Sequence, residues 1–366
     1  MPGVYISYPF CAQKCTYCNF ASGVFPRELE RRYVEAVVSE IAAHGWVWNP
    51  ETVYLGGGTP SGMPVADLQR ILRAIPNREA WTEATIEAAP GGITAELAES
   101  WARAGINRVS LGVQSFVRRE LARTGRKHTS EIVEREVEVL RAAGIGNINI
   151  DLIAGLPGQT QESWAESLAW IERLQPPHVS VYMLEIDEDS RLGSEILLNG
   201  KRYGAPEVPG EEQTAGFYET AVARLARLGI ERYEISNFAH PGFESRHNLK
   251  YWRLEPYAGF GADAHSFDGA LRAQNIESAG DYVARMESGL PARSGETPAD
   301  PGEERFFVGL RLSRGIQPQP DEWRKFEQPI RRFIGEGLLE RDGAHLRLTD
   351  RGVLLSNEVF AEFISS

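Results

Sequence analysis

Cys11, Cys15 and Cys18 are the only cysteines of this 366-residue chain, and they lie within eight consecutive positions. A disulfide framework wants an even number of cysteines at spread spacings. A tetrahedral zinc site wants four protein ligands, or three with a water and a supporting shell, and the first histidine after this stretch is His44. Three closely spaced thiolates instead suit a cubic iron–sulfur cluster in which one iron lacks a protein ligand and stays open to a small molecule. The plain alternative is three buried or free thiols in a loop, since cysteine is often simply buried.

Other residues able to hold charge or hydroxyls recur where apolar runs end. Gly56-Gly57-Gly58-Thr59-Pro60-Ser61 follows the run from Thr52 to Leu55. Glycines after a strand let backbone approach a ligand, because no Cβ intervenes; a tight loop alone reads the same way. Glu87, Gln114, Arg126 and Asp151 come next. Such groups are costly to bury without partners. The hydroxyls of a nucleoside and the carboxylate of an amino acid would serve them, as would solvent or a structural pairing, and Asp151 could cap a turn. Farther on, Arg246-His247-Asn248-Leu249-Lys250-Tyr251-Trp252 sets a histidine close to two aromatic residues. Histidine is a common axial ligand of heme iron, and aromatic rings pack on porphyrins. A partly buried histidine in a barrel wall or domain interface gives the same pattern. His265 is a second candidate ligand. No further cysteine is left to act as a nucleophile, and no G-x-S-x-G is present.

These residues need elements to position them. β-branched and apolar runs at Val4–Tyr8, Thr52–Leu55, Thr85–Ala89, Arg108–Val113, Asn147–Ile153 and His178–Leu184 read as strands. Helical periodicity falls between them, at 27–44, 64–75, 94–104, 118–143 and 160–174. Strand and helix in alternation about six times imply right-handed βαβ units and a parallel sheet. The fold class is therefore α/β, a partial TIM-like (β/α)6 barrel. The cysteines, the glycine triplet, Glu87, Gln114 and Asp151 fall at or near the C-terminal ends of successive strands, which share one mouth in a barrel. The stretch 195–210 reads as a loop and Glu231–Ile235 as a seventh strand. Residues 294–302 read as a linker. Helices and a short hairpin beyond it suggest a small C-terminal α+β unit of winged-helix type. The expected division is 1–236, 237–293 and 294–366.

A net charge of −12 and a pI near 5.3 argue against non-specific nucleic-acid binding. No apolar run approaches the roughly 18 residues of a membrane helix, and Met1–Tyr5 has no signal-peptide pattern. Three reduced cysteines without an export signal point to the cytosol.

The C-x3-C-x2-C spacing, with Tyr17 just before the last cysteine, resembles the radical S-adenosylmethionine (SAM) superfamily. The resemblance sharpens with Tyr5, Gly56–Ser61, Ile86-Glu87, Gly112–Phe116, Gly125–His128, Asp151–Gly158 and Tyr233–Asn237. Together these are similar to the oxygen-independent coproporphyrinogen III oxidase family, over nearly the whole chain. The resemblance implies a [4Fe–4S] cluster on Cys11, Cys15 and Cys18. It implies a first SAM at Tyr5, Gly57 and Glu87, and contacts of a second at Tyr17, Gly58, Thr59, Gln114, Arg126 and Asp151, leaving the number of SAM molecules open. Two departures separate this chain from the oxidases of the family. Phe20 stands where they have a further cysteine, and only ten residues precede Cys11. Both features, and the H-N-x-x-Y-W match at His247, Asn248, Tyr251 and Trp252, are similar to the heme-chaperone branch. That branch implies heme as a ligand, delivery to an acceptor protein and no coproporphyrinogen oxidase activity; radical SAM decarboxylation in porphyrin biosynthesis is the alternative.

Overall fold

The computed structural model describes residues 1–364. Six strands, β1 (Gly3–Tyr8), β2 (Thr52–Gly57), β3 (Glu83–Ala88), β4 (Arg108–Gln114), β5 (Asn147–Ala154) and β6 (His178–Met183), pair in parallel in chain order. Successive side chains of a strand point to opposite faces, and here the faces differ. Val4, Ile6, Val53, Leu55, Ala84, Ile86, Val109, Leu111, Ile148, Ile150 and Val179 are fully buried in the apolar core. The helices α1 (Arg27–Ala43), α2 (Val65–Ala74), α3 (Ala95–Ala104), α4 (Arg118–Thr124), α5 (Ser130–Ala142) and α6 (Gln161–Leu174) connect the strands. Thr94, Thr129 and Thr160 cap α3, α5 and α6 with their hydroxyls. The other face carries Tyr5, Tyr54, Glu87, Ser110, Asn149, Asp151 and Ser180, which hydrogen-bond or stack with one another across strands. The barrel interior is thus polar and aromatic, unlike the branched apolar filling common in closed eight-stranded barrels.

Beyond β6 come α7 (Arg191–Leu197), a 3₁₀ turn at Arg202–Glu207 and α8 (Glu211–Arg227). The expected loop at 195–210 is therefore partly helical. The expected strand Glu231–Ile235 is reduced to β7 (Glu231–Arg232), and β8 (Asn237–Ala239) closes that edge antiparallel to β6. On the other side of β1 lies a further parallel strand. After α9 (Arg246–Trp252), β9 (Tyr257–Phe260) pairs with Gly3–Ile6 of β1. Its glycine is structural: a Cβ on Gly259 would lie 2.1 Å from the His265 carbonyl oxygen. Then β10 (His265–Phe267), β11 (Leu271–Asn275), α10 (Ala279–Glu287) and β12 (Arg293–Pro298) extend the same sheet to twelve strands. Residues 294–302, expected as a linker, are mostly this edge strand. All of β12 is exposed, and it contains Gly295 and Pro298, so it has no apolar alternation to betray it.

The C-terminal unit starts at α11 (Pro301–Phe307) and includes α12 (Pro320–Lys325), α13 (Glu327–Gly335), the hairpin β13 (Leu339–Asp342) and β14 (His345–Leu348), α14 (Asp350–Leu354) and α15 (Ser356–Ala361). Phe306, Phe326, Phe333 and Phe363 form its aromatic core. Arg311, stacked on Trp252, and Arg232, paired with Asp350, join it to the barrel.

Candidate functional site

The cysteine loop leaves the C-terminal end of β1. Its entry is closed by Cys11 N–H donating to the Gly23 carbonyl at 2.8 Å and Gly23 N–H to Pro9 at 2.9 Å. Its far side is tied to α7: Leu192 N–H reaches the Thr16 carbonyl, the Arg191 guanidinium reaches the Lys14 carbonyl, and Asn19 donates to Asp187 at 2.9 Å. All three thiols are free and partly exposed. Burial pushes the Cys11 thiol up, while Thr59 and Ser22 oppose that and the charges of Cys18 and Cys15 add to it. The thiols do not converge on a common centre. Among the described residues no three His, Cys, Asp or Glu side chains stand in metal-binding geometry. The donor set still fits a cluster with one open iron, because it supplies three sulfurs and no fourth ligand. Drawing the sulfurs together is the kind of local ordering that metal binding itself drives.

The glycine turn abuts this loop. Gly58 N–H donates to the Tyr8 carbonyl at 2.7 Å and Thr59 N–H to the Phe10 carbonyl at 2.9 Å. A Cβ on Gly58 would lie 2.7 Å from the Phe10 oxygen and 2.8 Å from the Pro9 carbonyl carbon, and Gly57 has φ +108°. Glu87, on β3, accepts from Gly57 N–H at 3.2 Å and from the Tyr54 hydroxyl at 2.9 Å. Tyr5 stacks on Tyr54 at 6.1 Å.

Across the mouth, Arg126 donates to the Gly112 carbonyl at 2.7 Å and approaches the Tyr17 hydroxyl at 3.5 Å. Its buried Nε has no partner. Gln114 sits at a register shift between β4 and β5 with φ 70°, a strained backbone of the kind found at ligand sites. Asp151 accepts from Ser110 at 3.2 Å and Asn149 at 2.7 Å; burial raises its carboxyl, and these bonds hold it down. The structure thus gathers the cysteines, Tyr5, Tyr17, Gly57, Gly58, Thr59, Glu87, Gln114, Arg126 and Asp151 around the barrel's interior and C-terminal mouth.

The H-N-x-x-Y-W residues lie at the opposite end. Glu83, the first residue of β3, accepts from the backbone N–H of Arg246 and of His247, each at 2.9 Å, and so caps α9. Lys250 bonds Glu51 at 2.7 Å and Glu255 at 3.2 Å. The His247 ring is fully buried. Its Nδ1 lies 2.8 Å from Thr52 Oγ1 and its Nε2 2.8 Å from the Tyr251 hydroxyl. Gly3, Thr52 and Glu83 begin their strands, so α9 is the floor of the barrel.

Residues 5–171 match the radical SAM superfamily, and residues 297–355 match the HemN C-terminal domain. The chain is similar to a protein of Lactococcus lactis subsp. lactis named heme chaperone HemW, 34% identical over 98% of this chain and 96% of that one. A Bacillus subtilis protein of the same name is 33% identical over 100% of this chain and 99% of that one. The chain belongs to the HemW family of radical SAM proteins. Its fold is that of the Escherichia coli coproporphyrinogen III oxidase HemN, with a TM-score of 0.84 and 22% identity over 99% of this chain and 90% of that chain. Radical SAM membership implies a [4Fe–4S] cluster and SAM for this HemW-family chain. No helix of the described residues is long and apolar enough to cross a membrane.

Within this HemW-family fold, His247 is held inside the protein rather than presented to solvent. Both ring nitrogens are engaged, and burial together with the Lys250 charge lowers its pKa to about 3. With α9 seated, no nitrogen of His247 is open to iron. Tyr251 packs edge-on against Tyr257, and Trp252 lies under Arg311; Asn248 is half-buried in the same helix. His265 is exposed on β10, apart from that group. Sequence reasoning also missed Tyr54, Arg108, Ser110, Asn149 and Ser180. Polar residues alternating with apolar ones inside the strands were the available signal.

Glu87 carries a pH prediction. Burial raises its carboxyl from the ordinary 4.5 to about 7. The native state therefore holds this proton more tightly than the unfolded one. The stability contribution is complete below about pH 4.5 and is lost as pH rises through about 7, a change of about 3 kcal/mol. Glu87→Gln should remove it. Denaturant unfolding of the metal-free chain should move in favour of the variant by about 3 kcal/mol between about pH 5 and pH 8; a difference independent of pH would contradict the assignment.

Proposed function

We propose that the chain is a cytosolic heme chaperone that carries a [4Fe–4S] cluster and SAM at the barrel mouth and passes heme to acceptor proteins. What carries this reading is similarity along the whole chain to proteins named heme chaperone HemW. Phe20 supports it: the side chain is 67% exposed on the cluster loop, where the related oxidases are expected to have a cysteine. Cys11, Cys15 and Cys18 would hold the cluster. When bound, the cluster supplies an iron with a vacant position for the amino and carboxylate groups of SAM. The chain's own part is positioning. Backbone carbonyls of the glycine turn suit the ammonium of SAM, the Glu87 carboxylate suits its ribose hydroxyls, and the unpartnered Arg126 Nε suits its carboxylate. Heme iron can reach His247 Nε2 only after the bond to Tyr251 breaks and α9 lifts from the floor.

The likeness of fold to HemN favours a second reading, oxidative decarboxylation of coproporphyrinogen III. One experiment separates the two. Anaerobically reconstituted protein, incubated with SAM, a reductant and coproporphyrinogen III, should form no protoporphyrinogen. The same preparation should bind hemin saturably and release it to an apo-hemoprotein. Protoporphyrinogen formation, or failure to bind hemin, would overturn the chaperone reading.

A further inference from the structure

The floor helix and the glycine turn are connected through the barrel by one column of rings. The His247 imidazole stacks on Tyr54 at 5.2 Å with 28° between planes, and Tyr54 stacks on Tyr5 at 6.1 Å with 24°. Tyr54 thus has two stacked ring partners. Its hydroxyl donates to Glu87 Oε1 at 2.9 Å, and the other carboxylate oxygen accepts from Gly57 N–H at 3.2 Å. There is no slack at the top of the column. A Cβ on Gly56 would lie 3.0 Å from Tyr54 Cε1 and 3.1 Å from both Glu87 Oε1 and Tyr5 Cε2. At the bottom, Thr52, Tyr251 and the Glu83 cap fix the imidazole.

We propose that His247 is a positioning residue of the SAM pocket, holding Tyr54 so that its hydroxyl fixes Glu87 against the glycine turn. The motif on α9 then acts on the opposite end of the barrel without touching SAM. The inference rests on the reading of Glu87 as a SAM contact. Removing the imidazole leaves the Tyr54 ring one stacked partner instead of two, so its hydroxyl can leave the carboxylate. That hydrogen bond is the largest influence opposing the burial that raises Glu87. Its loss therefore raises Glu87 further. The other groups facing Glu87 are Tyr5 on β1, Arg108 on β4, Asp151 on β5, Tyr182 on β6 and Tyr251 on α9. Of these only Arg108 favours its ionised form; the Gly57 N–H does so too, but both act already in the parent chain and do not replace the lost bond.

The test uses the cluster-loaded full chain without heme. SAM affinity is measured by calorimetry from about pH 6 to pH 8.5, with iron content checked in each sample. His247→Ala and Tyr54→Phe should each weaken SAM about tenfold at pH 7, the worth of one hydrogen bond to a charged group. Each should move the midpoint of the pH profile upward, and the double variant should be no worse than either single one. Tyr54→Phe keeps the ring and its stacking, so it reports even where His247→Ala folds poorly. Unmoved midpoints in both single variants, or additive losses in the double variant, would reduce His247 to a core residue and overturn the proposal. Glu87→Gln identifies which premise failed. If it leaves SAM affinity and its pH profile unchanged, the reading of Glu87 falls; if it changes them while the other two variants do not, the positioning role falls.

Discussion

Serine in place of Cys11, Cys15 or Cys18 is expected to leave the anaerobically reconstituted chain with iron and sulfide at background levels. The reason is the donor count. The chain has three cysteines, and among the described residues no other His, Cys, Asp or Glu stands with them in metal-binding geometry. A lost thiolate has no understudy, and a serine hydroxyl is a poor ligand for iron in a sulfide cluster. The loop itself should survive, because its ties to Gly23, Thr124 and Leu192 run through backbone atoms. Iron and sulfide quantitation beside circular dichroism therefore separates loss of the cluster from loss of the fold. Cluster content retained by all three variants, or zinc in place of iron in the unsubstituted chain, would remove the thiols from the centre of the site.

A single methyl group at Gly58 is expected to have the next largest effect. Gly58→Ala would bring its Cβ to 2.7 Å from the Phe10 oxygen, 2.8 Å from the Pro9 carbonyl carbon and 2.9 Å from the Phe10 nitrogen. All three are backbone atoms, so no rotamer change relieves the overlap. Either the glycine turn leaves the end of β1 or the segment just before Cys11 moves. Overpacking of this kind destabilises by about 1–3 kcal/mol, and here the displacement falls on the two segments that would hold cluster and SAM. The variant should therefore lose reconstituted iron and show a lower denaturation midpoint. Gly62→Ala and Gly92→Ala are the controls. A Cβ at either meets nothing within 4 Å and neither has a positive φ, so each should stay within about 0.5 kcal/mol of the parent. Full cluster loading of Gly58→Ala would show that the two segments are not coupled as their contacts indicate.

The seated floor helix bears on heme as well. If heme iron takes His247, it must break the bonds to Thr52 and Tyr251 and uncover one face of Tyr54. Heme bound in that way and SAM would then oppose one another, and by linkage each would weaken the other by the same factor.

Local spacing determined a good deal of this protein. The C-x3-C-x2-C run named its own chemistry, because three soft donors a few residues apart need no distant partner to be recognised. The six parallel strands were readable because each carries a run of buried apolar residues between helical periods. The hairpin at β13 and β14 and the helices around it were readable for similar local reasons. The tertiary structure alone decided three things. It placed β9 beside β1, a pairing set by hydrogen-bond register across some 250 residues of sequence and hidden by glycines that periodicity treats as breaks. It joined β12 to the sheet as an exposed edge, where no buried face exists to leave a pattern. And it put His247 on the barrel floor with both nitrogens held. A histidine beside aromatics has the same spacing whether it faces a porphyrin or a threonine. Burial and the partners brought in from β2 and α9 itself come only with the fold, and they engage both ring nitrogens of the seated helix, because each nitrogen has a single lone pair or proton to share.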